Sequence, residues 1–144
     1  MNYIFVDTSF YIALIHETDK WHNEAQELES YISRNKSELL VTTYEVLSEV
    51  LAYFSRKTAF REAASNGIAA LLCENRLSVY DMNKEAFGRA LALYAEREDK
   101  TYSLVDCLSM NIMREHDIRF VISYDGDFEQ EGFTQVRRVS EIPL

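Results

Sequence analysis

Two spacings of apolar residues alternate along the chain. Short unbroken apolar runs end at polar residues, and between them lie stretches whose apolar positions recur every three or four residues. The runs predict buried parallel strands at Asn2–Val6, Leu39–Val41, Leu77–Tyr80 and Phe120–Ser123, with a weaker fifth near Thr134–Val136. The stretches predict helices over Phe10–Ile15, from an N-cap at Asp19 to Arg34, and after a cap at Thr42 or Thr43 through Val46, Leu47, Val50, Leu51 and Phe54. Further helices are predicted over Thr58–Glu74, over Lys84–Arg97 with Ala86, Phe87, Ala90, Leu91 and Tyr94, and over Ser103–Glu115.

Strands alternating with helices, without hairpin signals, predict an α/β fold: three α/β/α layers around a central parallel sheet of four or five strands with right-handed crossovers. In such sheets the working crevice lies beyond the C-terminal ends of the strands, at the topological switch point. At 144 residues, with four glycines and one proline, the chain is expected to form one domain over 1–144. No apolar run reaches the ~20 residues of a membrane span, and Met1–Asp7 has no basic stretch ahead of an apolar one, so a cytoplasmic protein is expected. Cys73 and Cys107 lie in apolar helical patterns with no second Cys or His at ligand spacing, and are expected to be buried thiols.

Fifteen Lys+Arg against 24 Asp+Glu give a net charge of −9, which argues against a protein that coats nucleic acid by bulk electrostatics. It leaves room for phosphodiester chemistry at a cation, because carboxylates gathered around Mg²⁺ or Mn²⁺ invert the local field. Four acids fall at the predicted rim: Asp7 after the first strand, Glu49 in the helix after the second, Asp106 opening the helix before the fourth, and Asp125 after the fourth. Hard divalent ions take such oxygen ligands and keep waters, one of which can become a nucleophile. Each acid also has a plainer reading. Asp7 could cap a helix, Asp106 could close a capping box with Ser103, Asp125 could only form a turn, and Glu49 could be solvated. Angular position places Glu49 at the edge of its helix's apolar face and Glu45 farther round, toward solvent.

Taken as a set, the pattern resembles the PIN-domain ribonucleases, the family that includes VapC-type toxins. The resemblance runs from Tyr3 to about Gln135. It rests on Phe5-Val6-Asp7-Thr8-Ser9, Trp21-His22-Asn23-Glu24-Ala25, Thr42-Thr43-Tyr44-Glu45-Val46-Leu47-Ser48-Glu49, Ser103-Leu104-Val105-Asp106-Cys107 and Ile122-Ser123-Tyr124-Asp125-Gly126-Asp127-Phe128, with Gly132-Phe133 after them. It implies a PIN-like fold, with Asp7, Glu49, Asp106 and Asp125 as the acidic metal-site residues and supporting hydroxyls from Thr8 or Ser9 and Ser123. It also implies Mg²⁺- or Mn²⁺-dependent cleavage of an RNA substrate, homodimerisation and a neutralising antitoxin protein. The family more often has Thr where Ser123 stands, and His or Arg where Asp127 adds a fifth acid that could join the site. A different class of function, a non-catalytic PIN-like module that binds protein or RNA, is the alternative.

Other features weigh less. Arg56, Lys57 and Arg61 form a compact basic group that could hold RNA phosphates, although cations at a helix C-terminus also complement its dipole. Arg137 and Arg138 are similarly ambiguous, and His22 is placed far from the rim as a packing or surface residue. The stretch from Asp125 fails as a calcium loop, with Gln130 at position six and Val136 at position twelve. A receiver domain would need paired acids and a late Lys, and an NTPase a glycine-rich loop; none is present.

Overall fold

The computed structural model describes residues 2–35 and 37–143. Its elements run β1 (Asn2–Val6), α1 (Thr8–Ile15), α2 (His22–Arg34), β2 (Glu38–Thr43), α3 (Tyr44–Phe54), α4 (Thr58–Leu71), β3 (Leu77–Tyr80), α5 (Lys84–Glu96), α6 (Leu104–Glu115), β4 (Phe120–Ile122), α7 (Asp127–Gln130) and β5 (Thr134–Val136), closing with a 3₁₀ turn at Val139–Glu141. The five strands form one wholly parallel sheet in the order β3-β2-β1-β4-β5. The predicted fold class is therefore the observed one, with all five strands present.

β1 is the middle strand, and Ile4, Phe5 and Val6 are buried on both faces of the sheet, which is why this segment reads as an unbroken apolar run. Successive strands leave β1 toward β2 and β3, and the chain then crosses to β4 and β5 on the other side. Right-handed crossovers place α1–α4 over one face and α5–α6 over the other, and the helices pack in those two groups. The switch point falls between β1 and β4, where Val6 pairs with Ile122. Both strands end there, in Asp7 and in Ser123-Tyr124-Asp125. Among the described residues no helix is long and apolar enough to cross a membrane.

Several boundaries differ from expectation for local reasons. Asp19 does not cap α2 directly: its carboxylate accepts from Trp21 N–H at 2.8 Å and its carbonyl from His22 N–H at 3.0 Å, making a turn before the helix starts at His22. Thr43 caps α3 by accepting from Val46 N–H, while Thr42 donates to the Val6 carbonyl and ties β2 to β1. α7 is a single turn, too short to show a period. Cys107 is buried as expected, but Cys73 is exposed, because α4 ends at Leu71 and leaves it in the following turn. Leu51, Phe87, Leu91 and Tyr94, at helical spacing on α3 and α5, are 40–52% exposed.

Candidate metal centre

β1 delivers Asp7 to the rim. Its backbone N–H extends the ladder by donating to the Ile122 carbonyl at 3.0 Å, and the residue is 2% exposed. Asp7 occupies the N-cap position of α1 without making a side-chain cap, so its carboxylate stays turned into the rim. Ser123 Oγ donates to Asp7 Oδ2 at 2.9 Å. That proton being committed, Ser9 Oγ donates to Ser123 Oγ at 3.2 Å, while itself accepting from Tyr124 N–H at 2.9 Å. The hydroxyl chain Ser9–Ser123–Asp7 fixes one carboxylate oxygen.

Carboxylate oxygens of Asp7, Asp106 and Asp125 lie within 4.8 Å of one another. Asp106, on the first turn of α6, is at once cap and cluster member: Oδ2 accepts from Ser103 N–H at 2.9 Å while its own N–H donates to Ser103 Oγ. Asp125 is exposed and accepts from Asp127 N–H across Gly126, whose φ of 86° is the left-handed conformation that suits glycine. Glu49 is not part of this triad. It lies half-buried on α3 and accepts from Thr8 Oγ1 at 2.7 Å. Its charge nonetheless reaches Asp106, as does that of Asp127. Thr8 and Ser9 thus serve different acids, Glu49 and the Asp7 chain respectively. Glu45, expected in solvent, is half-buried, and its Oε1 is out of water with no hydrogen-bond partner among the described residues.

Burial, with the charges of Asp125 and Asp106, holds the Asp7 carboxyl well above the usual aspartate range. Burial likewise pushes Asp106 up to about 6, with Asp125, Asp127 and Glu49 adding to it against the Ser103 hydrogen bond. Among the described residues no Lys or Arg forms an ion pair with Asp7, Glu49, Asp106 or Asp125. The charge of Arg137, itself paired with Glu129, reaches Asp125 without forming an ion pair to it. Crowded carboxylates with no ion-paired base suit a hard divalent cation, and the oxygen-only donor set suits Mg²⁺ or Mn²⁺.

The PIN domain family model matches residues 4–133. The chain belongs to the PIN-domain family. Among the family's curated members, the 23S rRNA-specific endonuclease VapC20 from two Mycobacterium tuberculosis strains is 31% identical over 134 residues, 93% of this chain and 98% of the relative. The crystal structure of M. tuberculosis VapC20, a sarcin-ricin loop cleaving toxin, superposes with a TM-score of 0.81 at 28% identity, covering 92% of this chain and 98% of that one. VapBC2 from Rickettsia felis, bound to a DNA fragment from its promoter, shares the fold at 13% identity with a TM-score of 0.66, over 93% and 97% of the two chains.

Asp127 is the acid whose place the sequence left open; α7 sets it near Asp106, and its carboxyl is raised by burial and by Asp125. The half-buried His22 binds the Ala13 carbonyl through Nδ1, joining α2 to α1 away from the acids. Arg61 donates to the Ser55 carbonyl at the end of α3, as the helix-dipole reading requires. Arg137 and Arg138 pair with Glu129 and Glu141.

Proposed function

We propose that this chain is a divalent-metal-dependent endoribonuclease, the toxin of a type II toxin–antitoxin pair, working at Asp7, Glu49, Asp106 and Asp125. The convergence of three carboxylates within 4.8 Å carries this reading. The relationship to a 23S rRNA endonuclease supports it.

Asp7, Asp106 and Asp125 would hold Mg²⁺ or Mn²⁺, which supplies an activated water and stabilises charge building on the phosphate. Ser123 keeps Asp7 oriented, Ser103 keeps Asp106 oriented, and Thr8 points Glu49 at the same rim. Asp7 is the rigid member and Asp125 the open one, so the RNA phosphodiester would approach from the Asp125 side. A neutralising antitoxin and self-association into a homodimer belong to the same reading, supported by the resemblance to VapC-type toxins.

The test is cleavage of a sarcin–ricin loop RNA and of mixed RNA with Mg²⁺ or Mn²⁺, beside Asp7→Asn. Asparagine keeps an acceptor for Ser123 and removes the charge. The parent should cut and Asp7→Asn should lose at least 100-fold in rate. Equal cutting by both proteins removes the site assignment, and cutting by neither leaves a non-catalytic binding module.

A further inference from the structure

Outside the acid cluster, the helices α1 and α3 form a seam that begins at the carboxylates and ends in an aromatic, cationic cluster. Thr8, at the start of α1, meets Glu49 of α3 at 2.7 Å. His16, capping the other end of α1, meets Tyr53, one turn beyond Glu49 on the same side of α3, with ring centroids 6.2 Å apart. Between these two contacts the rise is about 12 Å along α1, from Thr8 to His16, and about 6 Å along α3, from Glu49 to Tyr53. His16 also packs edge-on to Phe54 at 6.3 Å and Phe60 at 5.0 Å. Tyr53 stays 40% exposed, and Lys57 Nζ lies 5.4 Å from its ring centroid.

This corner carries two exposed cations. The chain carries −9 overall, and Arg97, Arg114, Arg89 and Arg137 are all tied to carboxylates. Arg56 and Lys57 are exposed, and among the described residues neither has a carboxylate in ion-pair range. An exposed ring with a cation beside it matches a base and its phosphate: aromatic faces stack on any base, and lysine neutralises the backbone.

We propose that this seam is a nucleotide subsite for single-stranded RNA, with Tyr53 stacking a base, His16 bracing the tyrosine ring, and Lys57 with Arg56 holding the adjoining phosphate. The proposal rests on the endoribonuclease reading. It places one stretch of the strand on Tyr53 while a phosphodiester one or two nucleotides away lies at the carboxylates, and so gives the cut a fixed position relative to an unpaired base.

The experiment measures binding of a fluorescein-labelled single-stranded 12-mer RNA to the full chain carrying Asp7→Asn, across a salt series, with melting temperatures for every variant. Adding Tyr53→Ala should weaken binding roughly tenfold, and Tyr53→Phe should stay within about twofold because the ring remains. Lys57→Ala should reduce the slope of log affinity against log salt by about 0.7, whereas Arg89→Ala, an equal charge change near the far end of α6, should not. In the chain that retains Asp7, Tyr53→Ala should raise KM and spare kcat. If Tyr53→Ala and Lys57→Ala bind like their parent while the Asp7 protein still cuts RNA, the subsite is overturned and the nuclease reading stands. With neither binding nor cleavage, both are overturned. A change of oligomeric state in Tyr53→Ala overturns the subsite as well, assigning the ring to a contact between copies. Should Tyr53→Ala not fold, the Lys57→Ala salt slope decides.

Discussion

Ser103 and Asp106 exchange two hydrogen bonds, backbone to side chain in each direction, so the carboxylate that joins Asp7 and Asp125 also closes the start of α6. The cap occupies Oδ2 and leaves the second oxygen for the cluster. The two readings of this residue are compatible.

Substitutions separate the two duties. Asp106→Asn keeps an acceptor for Ser103 and removes a charge from a crowded site. In metal-free protein it should raise the melting temperature by roughly 3 °C, about 1 kcal/mol after allowing for solvent screening. Asp106→Ala also loses the cap, worth about 1 kcal/mol, and should melt near the parent. Both should blunt stabilisation by Mn²⁺. An Asn variant that melts below the parent and still gains fully from Mn²⁺ would show that the carboxylate acts only as a cap.

The same crowding sets a pH dependence. Burial and neighbouring charge push Asp106 up to about 6 in the folded protein against 3.8 ordinarily, and Asp7 is raised in the same direction. The fold therefore holds protons that the unfolded chain releases, and metal-free stability falls as pH rises from about 4 through 6. Glu131 runs oppositely. Its carboxylate is buried, but hydrogen bonds from Arg97 and Arg114 bring it to about 2, so its contribution is present above 4.5 and lost as pH falls toward 2. Thermal melts should show a metal-free optimum near pH 4 that Mn²⁺ moves toward neutrality. An optimum already neutral without metal refutes the account.

Glu131 also braces the site from behind. It accepts from Arg97 at 2.7 Å, Arg114 at 2.6 Å and Tyr102 at 3.2 Å, tying α7 to α6 and to the loop that leads into Ser103. Glu131→Gln should cost about 2 kcal/mol, a drop of roughly 6 °C. A melting temperature within 1 °C of the parent would show the network to be idle.

Ser123 is fully buried between Ser9 and Asp7, and its carbonyl accepts from Gln135 Nε2. Ser123→Ala should weaken Mn²⁺ binding about tenfold by freeing the Asp7 carboxylate, and Ser123→Thr should restore it with the hydroxyl. Calorimetric titration decides. Equal loss in both variants would point to packing, not to the hydrogen bond.

The sheet was legible because strands buried on both faces leave unbroken apolar runs; Leu77–Tyr80 is read and observed with the same limits. Helical spacing showed which residues share a face but not what covers it, so Leu51, Phe87 and Leu91 belong to the apolar spacing of their helices and yet stand exposed. Glu45 was misplaced for the same reason: the angle around α3 carries no information about its neighbours. The four acids stood out by their places after strands and at helix starts. The meeting of Asp7, Asp106 and Asp125 and the linkage of Glu49 to Thr8 depend on the order of strands, which the sequence pattern does not contain.

The Asp7 amide continues the hydrogen-bonded ladder of the central strand, whereas Asp125 sits on a left-handed glycine turn open to water. Amide exchange at Asp7 should be as slow as global unfolding, and at Asp125 fast. An incoming ion would thus meet one immovable ligand and one that can adjust its reach, an arrangement that tolerates ions of different radius.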